Sequence, residues 1–374
     1  MSTIRIGVIG AGAVTSTIHL PILTRRSDLF TIVGLCDLNL AAVDALGERF
    51  GIGPEARFSD PEQLLNSGSL DAVLILNSGS HADLVSLALL AGLEVFCEKP
   101  LAYTKREMRE IRDAIEQSGK RLMIGYMKSH DPAVERAAEL ISRDGAARTV
   151  DVLVLHPSGD SQLATSEVSI NVPGATHELS KKFSTKREEI QREALGPLAE
   201  QIGDLYSEII CGSIIHEFSV LRSIGLEITE IDWVDRWPKT SVTESIVIWG
   251  RTAEGVRISI RWFYLENFPE YQEEVRWVGE TSSHHLLFPS PYFLRVPTVL
   301  TTTRSNDGVR ETCESASYHG SFERELETFH DLVSSSSQRG SDLRAGESDL
   351  RVCQMIAKKI AEIEGLAIGG DLGS

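Results

Sequence analysis

The first 127 residues alternate between short apolar runs and amphipathic segments, and this alternation constrains the fold more than any other feature. Residues 4–10 form an apolar run that ends in glycine. Four further runs follow, at residues 30–36, 70–76, 93–97 and 121–125. Helix-like segments of about 10–15 residues separate such runs in βαβ units, which build parallel sheets. The sequence therefore predicts a doubly wound α/β domain of Rossmann type over residues 1–127.

Residues 128–374 show a different pattern. Apolar and polar side chains alternate, as in half-exposed antiparallel strands, in three segments: residues 241–249, 255–264 and 271–278. The Asn306-Asp307-Gly308 sequence is typical of a hairpin turn. We predict a second, α+β domain built on a large antiparallel sheet and closed by helices over residues 321–366.

A long polar segment, residues 158–209, lies inside the second domain. Thr185 with Glu188 has the spacing of a capping box, as do Ser80 and Asp83 in the first domain, and each pair predicts the start of a helix. The segment is either a lid that contributes to substrate specificity or a surface helix packed on the sheet.

Composition excludes several function classes. The chain has 37 basic and 54 acidic side chains, a formal net charge of −17, which repels nucleic acid. Its most apolar stretch, residues 84–97, is shorter than the roughly 20 residues that span a bilayer. The 5 cysteines are scattered without metal-ligand spacing, which indicates free thiols in a reducing compartment. We therefore expect a cytoplasmic protein. We also expect no metal, because the adjacent His284 and His285 lack ligand spacing as well.

The first predicted strand leads directly into a glycine turn. Gly10 allows the tight turn and Gly12 lets a pyrophosphate approach the backbone, whereas Thr15 stands at the third glycine position. Asp37 follows the second strand, where a carboxylate accepts the ribose hydroxyls and repels a 2′-phosphate. This pattern predicts a nicotinamide dinucleotide site that favours NAD over NADP.

Two further loops follow strands of the predicted parallel sheet and face its ligand-binding edge. His81, after the third strand, either contacts the cofactor or caps the next helix. Lys99, after the fourth strand, can touch nicotinamide and substrate and can donate a proton. The predicted cofactor-binding residues are Gly10, Gly12, Ala13, Val14, Asp37, Asn77, Ser78, His81, Glu98, Lys99 and Pro100.

The motifs GVIGAGAVTSTIHLP, Asp37, NSGSH, CEKPLA and GYMK occur in an order and at distances that resemble the glucose–fructose oxidoreductase/inositol dehydrogenase (Gfo/Idh/MocA) family. The resemblance covers the first domain and extends more loosely to residues 212–221 and 322–329. It implies hydride transfer between a nicotinamide cofactor and a hydroxyl of a sugar, cyclitol or sugar nucleotide. It also implies a homodimer or homotetramer assembled through the antiparallel sheet.

Carried over residue by residue, the resemblance implies that Lys99 handles a proton and that His216 is a general base or acid. From the residues alone, a histidine in such an apolar segment is more often a core residue. Residues expected to bind substrate are Lys128, His156, Ser213 and Glu217.

The chain departs from the family pattern around His216. The family has an aspartate four residues before this histidine and another three residues after it, where this chain has Gly212 and Ser219. His216 therefore lacks an orienting carboxylate at both positions. Glu217 or His156 can substitute in part, or Lys99 can transfer the proton alone.

Three functions remain compatible with this pattern. The first is an NAD-dependent dehydrogenase or ketoreductase of a carbohydrate-like alcohol, including aminosugars. The second is a lyase or epimerase that keeps NAD bound and oxidises its substrate transiently. The third is a catalytically silent NAD-binding regulatory protein, which the glycine at position 212 favours.

Overall fold

The computed structural model of the chain describes residues 3–68, 70–159, 162, 174, 176–239, 243–335 and 340–373. Their contacts form two compact units. The first comprises Met1–Tyr126, Val168–Ala194 and Glu325–Leu350, and the second comprises Met127–Glu167, Leu195–Arg324 and Arg351–Ser374. Within the described ranges, no helix combines the length and apolarity that crossing a bilayer requires.

The first unit contains a six-stranded parallel sheet with the strand order β3-β2-β1-β4-β5-β6. Its strands are β1 (Ile4–Ile9), β2 (Phe30–Cys36), β3 (Arg57–Phe58), β4 (Ala72–Ile75), β5 (Glu94–Glu98) and β6 (Leu122–Gly125). Every residue of β4 and β6 is buried, as expected for a sheet covered on both faces. The order reverses beside β1, so β1 and β4 flank the switch point at which such sheets bind ligands. The predicted Rossmann fold is confirmed.

The helices of the first unit follow the predicted pattern, with two errors at their starts. Their bounds are Leu20–Arg25, Leu40–Phe50, Pro61–Leu65, Ala82–Leu90, Lys105–Ser118 and His177–Leu195. The predicted Ser80/Asp83 capping box is wrong, because His81 is the N-cap of the helix Ala82–Leu90 and the Ser80 hydroxyl accepts from the Ala82 amide, at 3.4 Å. The predicted Thr185/Glu188 box is also wrong, since both residues lie inside the helix His177–Leu195. Thr104 and Glu107 form a capping box at the start of the helix Lys105–Ser118.

The chain returns to the first unit near its end. The helix Ser321–Ser334 places Phe329 against Phe96 of β5, with 5.6 Å between ring centroids. Ile124 of β6 donates a backbone hydrogen bond of 2.7 Å to the carbonyl of Ser341. These contacts place part of the predicted closing region, residues 321–366, with the first unit, whereas the sequence analysis assigned all of it to the second.

The second unit contains an eight-stranded sheet with the strand order β14-β13-β12-β11-β7-β10-β9-β8. The strands are β7 (Thr149–His156), β8 (Glu230–Trp237), β9 (Ser245–Arg251), β10 (Arg257–Tyr264), β11 (Gln272–Val278), β12 (Ser282–Phe288), β13 (Val299–Asn306) and β14 (Val309–Ala316). The α+β class is confirmed. The sheet is mixed rather than wholly antiparallel, because β7 and β10 pair in parallel at its centre.

The two faces of this sheet differ in burial. Ile258, Ile260 and Trp262 of β10 lie on the buried face, as the alternation predicts. The opposite face exposes three tryptophans, Trp233, Trp237 and Trp249, which are 41–48% exposed. At the edge, Asp307 and Gly308 both have positive φ and close the β13–β14 hairpin, which confirms the predicted turn.

The helices of the second unit include Pro132–Asp144, Ala199–Asp204, Ile215–Ser223 and, from Arg351 onward, part of Leu343–Glu364. Pro132–Asp144 packs against the strands β12, β13 and β14. A π-helix, Leu205–Ile214, runs directly into the helix Ile215–Ser223. In the segment 158–209, residues 160–161, 163–173 and 175 lie outside the described residues, so the lid interpretation stays a prediction.

Candidate functional site

The glycine turn of the first unit is shaped by backbone packing. Gly10 has a φ of +108°, and a Cβ there would lie 2.5 Å from the backbone nitrogen of Asn77. Thr15, at the third glycine position, is buried and donates a 2.7 Å hydrogen bond to the carbonyl of Gly10. By contrast, a Cβ on exposed Gly12 would meet nothing within 4 Å. The turn therefore leaves open backbone at Gly12 and the neighbouring Ala13, which a dinucleotide phosphate can approach.

Asp37 lies directly after β2 with its carboxylate fixed by the backbone. One oxygen accepts a hydrogen bond from the Ala11 amide and the other accepts one from the Asn39 amide, each at 2.8 Å. The side chain stays partly exposed, and each oxygen retains a lone pair for a ribose hydroxyl. The following residue, Leu38, is apolar and 41% exposed. This stretch of loop offers no cation to a 2′-phosphate.

The loop after β4 contains Asn77, Ser78 and His81. The amide nitrogen of Asn77 donates to the carbonyls of Ser78 and Ser80, at 3.1 and 3.4 Å. Its buried oxygen Oδ1 has no hydrogen-bond partner among the described residues, so it can accept from a ligand. Ser78 is exposed.

His81 is buried and contacts two backbone carbonyls. Its Nδ1 lies 2.7 Å from the oxygen of Pro100, and its Nε2 lies 2.7 Å from the oxygen of Asn77. Burial lowers its pKa, although both carbonyls act in the opposite direction. The ring therefore joins the loops after β4 and β5, and neither of its nitrogens faces outward to a cofactor.

Glu98, Lys99 and Pro100 lie at the end of β5, where the Lys99–Pro100 peptide is cis. Burial acts to raise the pKa of Glu98. The hydrogen bond with His19, at 3.0 Å, and the charge of His19 outweigh burial, so the pKa of Glu98 is lowered. The other Glu98 oxygen accepts a 3.2 Å hydrogen bond from the Lys99 amide. The hydrogen bond with Glu98 fixes the backbone of Lys99 beside the ligand-binding edge. The Lys99 residue is half-buried.

The segment around His216 belongs to the second unit. His216 is half-buried at the start of the helix Ile215–Ser223. A Cβ on Gly212, in the preceding π-helix, would lie 3.1 Å from the carbonyl oxygen of Ser207. The hydroxyl of Ser219 donates to the backbone carbonyl of His216 at 2.7 Å. At neither position does this chain orient the imidazole with a carboxylate, and the π-helix leaves little room for a side chain at 212.

Lys128 lies in a one-turn helix, Met127–His130, and its amine is enclosed by acidic side chains. Its Nζ lies 2.6 Å from Oε1 of Glu273 and 3.4 Å from Oε1 of Glu217. The hydroxyl of Tyr271 donates to Glu273 at 2.5 Å. We call these four residues the Lys128 cluster. Because Glu273 already compensates the ammonium, Lys128 offers no uncompensated positive charge to an anionic substrate group, and its expected role in substrate binding stays a prediction.

The other expected substrate residues connect to the Lys128 cluster through aromatic rings. His156, at the end of β7, lies 5.8 Å from Tyr271 and 5.1 Å from Trp262 between ring centroids. Trp262 donates from Nε1 to the hydroxyl of Ser213 at 2.9 Å. The structure therefore brings the four substrate residues predicted from sequence, Lys128, His156, Ser213 and Glu217, into one network.

The sequence analysis missed the residues that connect this network: Trp262, Tyr271 and Glu273. Glu273 shares one face of β11 with Val275 and Trp277, and Tyr271 lies one residue before the strand begins. A glutamate on an otherwise apolar strand face is the signal that could have identified Glu273, because a buried charge needs a partner. No set of three or more His, Cys, Asp or Glu side chains within the described ranges could hold a metal ion.

Comparison with known proteins places the first unit in a class of nucleotide-binding oxidoreductase domains. Residues 4–126 match the model described as "Oxidoreductase family, NAD-binding Rossmann fold", that of Gfo/Idh/MocA. Residues 4–126 are thus similar to the Rossmann domain of the Gfo/Idh/MocA family. It is 35% identical over 156 residues to inositol 2-dehydrogenase of Azotobacter vinelandii, which is 41% of this chain and 45% of that protein. The match thus spans less than half the length of this relative.

Solved structures share the whole fold at low identity. UDP-N-acetylglucosamine 3-dehydrogenase from Acidithiobacillus ferrooxidans has a TM-score of 0.70 and 16% identity, over 96% of this chain and 98% of that one. A 3-ketoreductase from Actinomadura kijaniata, solved with NADP and TDP-benzene, has a TM-score of 0.71 and 17% identity, with the same coverage. At this identity the likeness establishes the architecture of both sheets.

Proposed function

We propose that the chain is an NAD-dependent dehydrogenase or ketoreductase of a polyhydroxylated alcohol such as a sugar, aminosugar or cyclitol. The observation that carries the proposal is the composition of one sheet edge. There an open glycine turn, the fixed carboxylate of Asp37 and the half-buried Lys99 all follow parallel strands of an NAD(P)-binding domain.

The first unit fits a dinucleotide on its own geometry. Gly12 leaves open backbone for the pyrophosphate, Asp37 can accept the ribose hydroxyls, and Oδ1 of Asn77 is a buried acceptor without a partner in the described chain. Asp37 followed by Leu38 favours NAD, because a carboxylate repels a 2′-phosphate and the next side chain is apolar. When bound, the nicotinamide accepts or donates hydride at the carbon that carries the substrate hydroxyl.

We assign the proton-handling role to Lys99. Its backbone is held by Glu98, so the side chain leaves β5 at a fixed point of the ligand-binding edge. An ammonium there can protonate a developing alkoxide, and the neutral amine can take a proton from the alcohol. His216 is the corresponding candidate in the second unit, as a half-buried imidazole without a carboxylate at positions 212 or 219.

The substrate class follows from two considerations. The name of the Azotobacter relative indicates a cyclitol substrate for that protein, although the match covers less than half of it. In this chain, the Lys128 cluster and its aromatic neighbours supply hydrogen-bonding groups beside ring faces, a combination suited to a polyhydroxylated ring.

The test is a turnover assay. Purified protein with NAD, or with NADH for ketone substrates, is given cyclitols, sugars and aminosugars while the absorbance of the reduced nicotinamide is followed. We expect at least one polyol to change the amount of reduced cofactor. Bound cofactor without turnover on any substrate would favour the silent regulatory protein, and conversion without net cofactor consumption would favour the lyase or epimerase.

We also propose that the chain forms a homo-oligomer through its large sheet. Trp233, Trp237 and Trp249 expose aromatic surface on adjacent strands β8 and β9, where burial against a second copy would remove it from water. We expect Trp249→Glu to shift sedimentation toward the monomer. A wild-type protein that sediments as a monomer at micromolar concentration would contradict this proposal.

A further inference from the structure

The Lys128 cluster is buried within the second unit. Residue exposures are 6% for Lys128, 2% for Glu217 and 0% for Glu273. The three side chains come from three separate elements: the turn Met127–His130, the helix Ile215–Ser223 and the strand β11. Placing two carboxyl groups around one ammonium in a dry interior is costly unless each polar atom is used.

The partners within the cluster are divided unevenly. Glu273 accepts hydrogen bonds from Lys128 at Oε1 and from Tyr271 at Oε2, so each of its oxygens has a donor. Burial acts to lower the pKa of Lys128, but Glu273 and then Glu217 outweigh it and raise the pKa, so the amine stays charged. The ion pair of Lys128 with Glu273 is therefore complete without Glu217.

Glu217 is the residue left with unused capacity. Its Oε1 lies 3.4 Å from Lys128, whereas its Oε2 is buried without a hydrogen-bond partner among the described residues. Burial raises its pKa to about 8, and the charge and hydrogen-bonding carboxyl of neighbouring Glu273 add to the effect, whereas the Lys128 charge opposes it. The group can therefore carry or release a proton near neutral pH. An unsatisfied buried carboxyl oxygen destabilises the folded protein, and a ligand that hydrogen-bonds it removes that cost.

The surroundings of this oxygen indicate what that ligand is. Burial, and after it the charges of Glu273 and Glu217, raise the pKa of Tyr271, whose hydroxyl donates to Glu273. Tyr271 in turn contacts His156 edge-on, and His156 lies beside Trp262. A hydrogen-bonding carboxyl group thus adjoins a set of aromatic rings, which suits a ring compound carrying hydroxyl or ammonium groups.

We propose that Glu217 is a specificity-determining residue whose Oε2 binds a hydroxyl or ammonium group of the substrate, and that Lys128 positions Glu217 instead of binding an anion. This inference rests on the proposed function and narrows its substrate class. Neutral cyclitols and aminosugars fit the site, whereas a sugar carboxylate would place a second negative charge beside Glu273 and Glu217 without a free cation to compensate it.

The experiment compares three probes on the NAD-saturated protein by isothermal titration: myo-inositol, glucosamine and glucuronate. We expect myo-inositol or glucosamine to bind at least about tenfold more tightly than glucuronate, because the glucuronate carboxylate would be repelled by the charge of Glu273 without a free cation to compensate it. Glucuronate that binds as tightly as both others would overturn the inference.

Two variants assign the effect to Glu217. Glu217→Leu removes the acceptor, and we expect it to weaken binding of the preferred probe by about tenfold or more. Glu217→Gln keeps the size and can still hydrogen-bond a hydroxyl, so it should weaken glucosamine more than myo-inositol. Unchanged affinities in both variants would overturn the assignment, and Glu217→Gln alone decides it if the leucine variant does not fold.

Glu274→Gln is the matched control, because this neighbour of Glu273 points to the other face of β11 and pairs with His285 at 2.9 Å. It should bind all three probes as the wild type does. An NADH titration on each protein distinguishes failure of the Glu217 proposal from failure of the proposed function. NADH binding together with glucuronate preference would remove only this inference, whereas failure to bind NADH or any polyol would remove the proposed function as well.

Discussion

The glycine-turn edge of the first unit and the Lys128 cluster of the second unit build binding capacity in opposite ways. At the first, the backbone forms the site: Gly10 packs closely against the backbone of Asn77, and the amides of Ala11 and Asn39 fix the carboxylate of Asp37. At the second, long side chains from three elements neutralise one another in the interior. In the proposed function, the first region binds the nicotinamide cofactor and the second selects the substrate.

The largest effect that separates the two regions is expected at Lys99. Replacing it with alanine should lower turnover by about 10²–10⁴-fold, because a positioned proton donor contributes on that scale. NADH affinity should change little, since the Gly12 backbone and Asp37 remain. Steady-state kinetics with a fluorescence titration measure both, and Lys182→Ala on an exposed helix face is the control. Unchanged turnover would remove Lys99 from the proposed mechanism.

The next effect tests the ion pair in the second unit. Lys128→Met should destabilise the protein by about 3–5 kcal/mol, because it leaves Glu273 buried without its cation. Adding Glu273→Gln should recover much of that loss, since the remaining groups are then neutral. Urea unfolding of the single and double variants gives the coupling energy. A double variant no more stable than Lys128→Met would show that the two charges do not depend on each other.

A smaller effect follows from the titration of Glu217. Its pKa is raised from 4.5 to about 8, so the folded state holds this proton more tightly than the unfolded state does. The contribution of Glu217 to stability therefore decreases as the pH rises between these two values. Relative to Glu217→Gln, the wild type should lose about 2–3 kcal/mol between pH 5 and pH 7. Parallel stability curves for the two proteins would contradict the raised pKa.

The smallest of these effects concerns the cofactor. Asp37→Ser removes the charged acceptor for the ribose hydroxyls and should weaken NADH binding by about tenfold. NADPH binding should improve relative to NADH, because repulsion of the 2′-phosphate is lost. A variant that retains the wild-type ratio of the two affinities would mean that Asp37 does not contact the ribose.

The same contrast explains which parts of the molecule can be predicted from sequence. The parallel sheet, the glycine turn and the β13–β14 hairpin are local patterns, since strand runs, Gly10 and Asn306-Asp307-Gly308 each determine backbone conformation within a few residues. The position of Asp37 after β2 follows from the same local order. These features are confirmed in the structure.

The features that were missed depend on contacts between distant residues. Ser80 and Asp83 have capping-box spacing, but the Ser80 hydroxyl bonds Glu107 of a later helix. No local pattern in the sequence indicates the partners of Lys128. The fold brings Glu217 and Glu273, which are 89 and 145 residues away, to its amine. The parallel pairing of β7 with β10 at the centre of the mixed sheet likewise joins segments that sequence periodicity treats separately.

The proposed function requires that this chain bind a nicotinamide cofactor through the first unit and prefer NAD. A titration of the purified protein with NADH and NADPH, followed by cofactor fluorescence, tests it most directly. We predict saturable NADH binding and NADPH binding weaker by about tenfold or more. Preference for NADPH would contradict the role of Asp37, and binding of neither cofactor by folded protein would contradict the oxidoreductase proposal itself.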